Sequence, residues 1–319
     1  MKRYFIIVCV LAWSIGASAF TALTPETSHF ISLHGDAGYS ALLHNVDGLR
    51  PSAGLNANLG VDYRLFHNNF LFSIGVENMY DFNANLLDEL DFVIPMRDTE
   101  GDLFDMHVHV DKSRDLTHML NLNIPLLVGG EWGRFYFMVG PKVSLNMYGS
   151  TSSKAQITTY GEYDSYYDDF YDMPNHQFAS GQYMGSAVMP VKWNFNIMAH
   201  LEMGGRIGHM FKYKQFRLNP DMVRMYLAAY ADFGLLNLHT GNGGAPLFEY
   251  RETDQGVQFY CQPLVLSNRS DGATFRNLNV GIKFTVAFEL PKKGKSFIYD
   301  YNKYDHIKIK RGGNQGIKF

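Results

Sequence analysis

Cysteine is nearly absent from this chain: Cys9 and Cys261 are its only two in 319 residues. Cys9 lies in a stretch that reads as a removable leader, so Cys261 is left alone and an internal disulfide is excluded. Long apolar runs are missing too. After residue 19 the sequence never strings together the roughly 18–20 apolar residues of a membrane-spanning helix, which excludes a helical membrane protein. No long window shows helical amphipathicity, and no solenoid-type repeat recurs. Charge is scarce, at 18% of residues, and basic excess is lacking. Removing Lys2 and Arg3 takes the 28 basic residues to 26 against 31 acidic ones, a net charge of −5. That sign is wrong for a nucleic-acid partner.

What is present begins with the leader. Lys2 and Arg3 precede an apolar run from Tyr4 to Ile15, followed by Gly16-Ala17-Ser18-Ala19. A short basic start, a short apolar core and a small-residue ending predict a secretory signal peptide over residues 1–19, cleaved between Ala19 and Phe20. A secreted domain of this size without disulfides needs another source of stability, and burial in lipid is one.

Alternation with a period of two dominates the rest. Ala53, Leu55, Ala57, Leu59, Val61, Tyr63 and Leu65 form one face of a strand; Asn56, Asn58, Asp62 and Arg64 form the other. Leu278, Val280, Ile282, Phe284, Val286, Phe288 and Leu290 repeat the pattern near the C-terminus against Asn277, Asn279, Lys283, Thr285 and Glu289. In all, eight strands are expected, over 29–42, 51–66, 69–80, 115–130, 133–148, 191–207, 221–236 and 275–290. The gaps between them run 8, 2, 34, 2, 42, 13 and 38 residues. Short turns near His67-Asn68 and Glu131-Trp132 thus alternate with long connections, as in a transmembrane antiparallel up-and-down β-barrel. The 13-residue gap fits less well, although strand ends around Phe211–Phe216 would shorten it. An even strand number puts both mature termini in the periplasm, on the side of the short turns.

The polar face separates a membrane barrel from a soluble one. A soluble barrel would carry many Lys and Glu there, whereas this face is mostly Asn, Ser, Gly and Tyr. Its acids are Asp36, Asp62, Glu77, Glu202, Asp232 and Glu289; its bases are Arg64, Lys142, Arg206, Arg224 and Lys283. Six against five can neutralise one another in a narrow lumen, where an unpaired charge costs several kcal/mol. The apolar face is nearly free of charge, as hydrocarbon requires. Tyr39, Tyr80, Trp132, Phe135, Tyr148 and Trp193 near strand ends suit aromatic girdles at the two interfaces. Eight strands enclose a space that side chains fill, so no wide pore is expected.

Several strings carry a family likeness: Leu120-Asn-Leu-Asn-Ile-Pro-Leu-Leu-Val128, Phe135-Tyr-Phe-Met-Val-Gly-Pro-Lys-Val143, Ala229-Tyr-Ala-Asp-Phe-Gly-Leu-Leu-Asn237 and Val280-Gly-Ile-Lys-Phe284. Over residues 29–290 the chain resembles the outer-membrane β-barrel domain family of Bacteroidota, the PorT-like barrels. The resemblance implies an outer-membrane barrel and carries no catalytic residues or cofactor. The chain departs from it in its long loops and in the 29 residues after the closing strand. Such barrels commonly end on an aromatic residue of that strand, and here Phe288 holds the place while the chain runs on to Phe319.

The domain plan is therefore a signal peptide over 1–19, a barrel over 20–290 and a basic periplasmic extension over 291–319. Residues 81–114 carry nine acids against three bases, with His107 and His109 among them. Residues 160–172 interleave aromatics with five acids. These loops suit an extracellular ligand, because Tyr supplies contact area at low entropic cost. Calcium on Asp164, Asp168, Asp169 and Asp172 is chemically possible, but the spacing matches no EF-hand. The extension has eight bases and two acids, suited to peptidoglycan, anionic headgroups or a periplasmic partner. His200 shares a face with Glu202 and His34 with Asp36, but period two places such neighbours together anyway. Neither pair has a partnered nucleophile, and Cys261 offers no nucleophilic context, so no enzyme, metal or cofactor is expected. The leading expectation is a non-enzymatic barrel with a structural or surface-interaction role. A narrow channel or transport accessory comes second, and a barrel enzyme acting on lipid or peptide third.

Overall fold

Every strand of the ring is a neighbour in space of the strands before and after it in sequence. The computed structural model of the chain describes residues 27–52, 54–97, 101–163, 169–170, 172–173, 178–179, 182–192, 194–207, 222–239, 244, 246–253 and 256–290. The eight ring strands are β1 (Thr27–His44), β2 (Gly54–His67), β3 (Phe70–Leu87), β4 (Leu103–Trp132), β5 (Phe135–Glu162), β6 (Asn196–Arg206), β7 (Val223–Gly234) and β8 (Phe275–Glu289). Each pairs antiparallel with the next, and β8 pairs with β1 from Phe30↔Glu289 to His44↔Phe275. The ring is closed, so its edge-strand problem vanishes. The eight expected strands are these eight.

Two-residue turns join β2 to β3 and β4 to β5. They need positive φ, supplied by Asn68 at 54° and Gly133 at 63°. Both turns, and both ends of the described chain, lie at one end of the barrel, the short-turn end. The outward face follows the alternation in the sequence: Leu55 is 68% exposed and Leu59 72%, while their neighbours Asn56 and Asn58 are buried. In a protein surrounded by water so many exposed large aliphatics would be an aggregation hazard; in hydrocarbon they are the required surface. Tyr39, Tyr80 and Tyr148 mark one rim of the apolar band and Trp132 and Phe135 the other, all exposed. Trp193 lies outside the described residues.

Two expected loops are sheet instead. β3, β4 and β5 run well past the apolar band at the long-loop end, and the strand Leu90–Arg97 pairs with β4 from Leu90↔Val110 to Arg97↔Leu103. The strand Gln182–Pro190 returns along β5 from Gln182↔Thr158 to Pro190↔Ser150. The cause is a second apolar core inside this extension. Phe104, Met106, Val108 and Val110 alternate with the polar residues between them and meet Leu42, Leu87 and Ile157. The expected signal peptide over 1–19, Phe211–Phe216 and the expected extension over 291–319 lie outside the described residues.

Candidate functional site

The lumen is the chemical centre of this molecule, and it is layered. At the short-turn end an apolar layer closes it: Phe30, Phe66, Leu71, Leu127, Tyr136, Met138 and Tyr226 pack together. Phe30 and Phe66 meet edge to face at 5.0 Å, and the Arg224 guanidinium covers both rings at 4.5 and 4.7 Å. Arg206 and Arg224 flank Glu131 at 3.6 and 3.7 Å, and the Tyr226 hydroxyl donates to Glu131 at 2.9 Å. These two arginines are therefore rim residues, partly exposed, whereas the alternation had placed them with the lumen charges.

Above that layer sits a network of buried charges. Lys142 Nζ lies 2.5 Å from Glu77 and 2.9 Å from Asp232. Lys283 Nζ donates to Glu202 at 2.9 Å, and the Tyr136 hydroxyl donates to the other oxygen of Glu202 at 2.5 Å. Arg64 Nε reaches Asp62 at 2.5 Å, and the Ser73 hydroxyl donates to the same Asp62 oxygen at 3.0 Å. Two histidines tie the carboxylates together. His34 places Nδ1 2.8 Å from Asp62 and Nε2 3.1 Å from Glu77; His200 places Nδ1 2.5 Å from Asp232 and Nε2 3.3 Å from Glu202. Arg64 and Lys142 are among the largest fully buried side chains of the chain. Inside a low-dielectric cylinder such groups persist only as paired, hydrogen-bonded sets.

Gly60 shows how the sequence makes room. It lies on the inward face of β2, paired with His34 on β1 and Glu77 on β3. A Cβ there would sit 2.5 Å from His34 Nε2, so only glycine lets the imidazole cross β2 to reach Glu77.

Towards the long-loop end the lining turns to asparagine, including Asn56, Asn83, Asn85, Asn277 and Asn279, all buried. Beyond them the connection between β7 and β8 folds into the mouth. Its two short 3-10 turns, Leu264–Leu266 and Asn268–Ser270, bury Leu264 and Val265 in the apolar core of the extension. Asp115 accepts the Leu264 N–H at 2.6 Å. Burial pushes the Asp115 carboxyl up to about 6, against the lowering by its hydrogen bonds from Ser153, Leu264 and Val265. The Ser270 hydroxyl is held by the carbonyls of Val265 and Ser267, both at 2.8 Å, and contacts His239 at 3.2 Å. That serine–histidine contact is a packing feature of the buried turn, not an exposed nucleophile.

The structure brings His200 and Glu202 together as expected. His34 and Asp36 share the lumen, but His34 bonds Asp62 and Glu77 instead. Asp81 and Asp115, both inward and buried, are missing from the lumen acids expected from the sequence, and their parity along β3 and β4 is the signal that locates them; Tyr136, Tyr226 and Tyr230 are inward tyrosines of the kind expected on the polar face. Outside the cylinder, His107 stacks on Tyr160 at 4.6 Å and meets Glu162 at 2.9 Å on the outer face of the extension. His109 lies 2.5 Å from Asp91 and 3.2 Å from Asp111. The hydrogen bond to Asp91 chiefly raises the His109 pKa. Asp164 and Asp168 lie outside the described residues, and Asp169 and Asp172 are placed by backbone alone.

The outer membrane protein beta-barrel domain family matches residues 31–239. No curated protein matches the chain. Among solved structures, the chain is similar to the outer membrane protease OmpT from Escherichia coli, at 8% identity, covering 86% of this chain and 100% of that one, with a TM-score of 0.30. It is also similar to the translocator domain of the autotransporter NalP from Neisseria meningitidis, at 8% identity, covering 91% and 97%, with a TM-score of 0.19.

Proposed function

From the premise that this chain belongs to the outer membrane protein beta-barrel domain family, we propose that it is a closed, non-enzymatic barrel that carries an interaction surface on its long-loop end. Family membership places the barrel in the outer membrane. The observation that supports the closed reading is the filling of the cylinder. Apolar side chains occupy the short-turn end, paired charges the middle, and the Leu264–Ser270 turns the mouth. An ion crossing it would have to displace several buried salt bridges at once, each costing several kcal/mol to break.

The non-enzymatic reading rests on access and on chemistry. His34 and His200 have every ring nitrogen committed to a carboxylate, and no serine, threonine or cysteine bonds either ring among the described residues. Catalysis needs a nucleophile or water at such a base, and a site open to substrate.

The interaction surface is the extension that stands clear of the apolar band, with Asp91, His107, His109, Asp111, Tyr160 and Glu162 on its outer face. With the short turns in the periplasm, this face and the acidic Tyr-rich segment 160–172 meet the extracellular side, where an extracellular ligand binds. Removal of residues 1–19 leaves the basic extension 291–319 in the periplasm, facing peptidoglycan or an anionic partner, while outer-membrane lipid wraps the apolar band. Planar-bilayer recording tests the closed state: no discrete steps are expected, and a reproducible open level overturns it. Lipid or peptide hydrolysis that disappears in His200→Ala overturns the non-enzymatic reading.

A further inference from the structure

Asp36 is a lumen carboxylate with no base bound to it among the described residues. Asp36 faces Lys283 directly across the β1–β8 pair, yet Lys283 turns to Glu202. Asp36 is 9% exposed and keeps an Oδ1 with no hydrogen-bond partner. Close to it lie His34 and Glu77, and one ligand atom from each of the three residues falls within 4.8 Å of the others.

We propose that His34, Asp36 and Glu77 form a binding site for a divalent first-row metal ion of the zinc or manganese type. The donor set is one imidazole nitrogen and two carboxylate oxygens, a mixture that favours such ions over magnesium or calcium. Metal–ligand bonds of about 2.1 Å put adjacent donors roughly 3.0–3.4 Å apart, from octahedral to tetrahedral geometry. His34 Nε2 and Glu77 Oε2 are already 3.1 Å apart.

Each ligand is held from behind. His34 Nδ1 lies 2.8 Å from Asp62 Oδ1, which fixes the ring with Nε2 towards the site, the carboxylate–histidine–metal arrangement. Glu77 is gripped through Oε1 by Lys142 at 2.5 Å and Asn123 at 3.3 Å, leaving Oε2 for the ion. Gly60 provides the passage between them. The charge count also favours a cation. Among the described residues Asp36, Asp62, Glu77, Glu202 and Asp232 are buried together with Arg64, Lys142 and Lys283 as permanent bases. An ion here ties β1 to β3 across β2. It enters as the barrel folds, because the finished lumen is closed.

The test refolds the full chain from denaturant into detergent micelles with cobalt(II) chloride, after chelator treatment, and removes loose ion by gel filtration. Heat-modifiable gel mobility establishes that each sample is a folded barrel. One cobalt per chain is expected, displaced when zinc chloride replaces cobalt during refolding. Asp36→Asn should retain less than a tenth as much, and Asp81→Asn, another buried carboxylate outside the trio, should retain the full equivalent. A folded wild-type barrel holding no cobalt, or Asp36→Asn holding as much as wild type, overturns the site. Should Asp36→Asn not fold, X-ray absorption of the wild-type cobalt form decides: one imidazole among oxygen ligands supports the site, and a shell without imidazole overturns it.

Discussion

The carboxylate of Asp115 on β4 accepts the backbone N–H of Leu264 at 2.6 Å, joining the barrel wall to a turn 149 positions later in the chain. That bond is one latch holding the mouth closed. It lies beyond the Tyr80 and Tyr148 rim, since Asp115 pairs with Asn85 and Ser153.

The latch should weaken as pH rises. Burial lifts the Asp115 carboxyl from 3.8 to about 6 in the closed mouth. In an opened mouth, exposed to water, it returns towards its ordinary value. The closed state therefore binds the proton more tightly, and its advantage is full below about pH 4 and lost as pH climbs past 6. The shift corresponds to roughly 3 kcal/mol. Protection of the Leu264 and Val265 amides against hydrogen exchange, corrected for intrinsic rates, should fall between pH 4.5 and 7.5. In Asp115→Asn, which keeps an acceptor oxygen but no titration, the profile should be flat. A flat wild-type profile contradicts the latch.

Lys142 and Lys283 should not be equivalent. Lys142 separates Glu77 from Asp232, while Lys283 serves Glu202, which keeps the Tyr136 hydroxyl and His200 as further partners. Lys142→Met leaves two buried carboxylates short of a cation and should cost about 3–5 kcal/mol, the range for breaking a buried pair. Lys283→Met should cost less. Urea unfolding in micelles, followed by gel mobility, measures both, and an equal loss contradicts the ranking.

The strand count, the closing pair and the two faces were legible because hydrocarbon and lumen impose opposite demands on alternate residues. Leu59 and Asn58 are enough to show it. Which charges meet was not legible: Lys142 and Asp232 are 90 positions apart, and their contact depends on the stagger accumulated around the ring. The extension was hidden for another reason. Asp105, His107 and His109 made residues 81–114 look like a solvated loop, although Phe104, Met106, Val108 and Val110 alternate with them as an inward face. The third strand expected over 69–80 stops one position short of Asp81, its next inward residue, whereas β3 runs on to Leu87. The partner of Asp115, Leu264, lies in a connection without periodicity, where no local pattern points to it.

An arginine at two outward positions should separate membrane from water. Leu59, in the middle of β2, points into the apolar band; Val93, on the strand Leu90–Arg97, points outward from the extension and is also exposed. Both are large aliphatics on strands, so β-propensity and loss of local packing are similar. What differs is the surrounding solvent. At the middle of the hydrocarbon an arginine on a barrel costs about 2–4 kcal/mol, whereas an exposed surface substitution in water stays within about 0.5 kcal/mol. Leu59→Arg should therefore lower the unfolding free energy in lipid vesicles by several times the change in Val93→Arg. Equal tolerance at both sites is incompatible with lipid wrapping β2, because a guanidinium held against acyl chains has nowhere to regain its hydration.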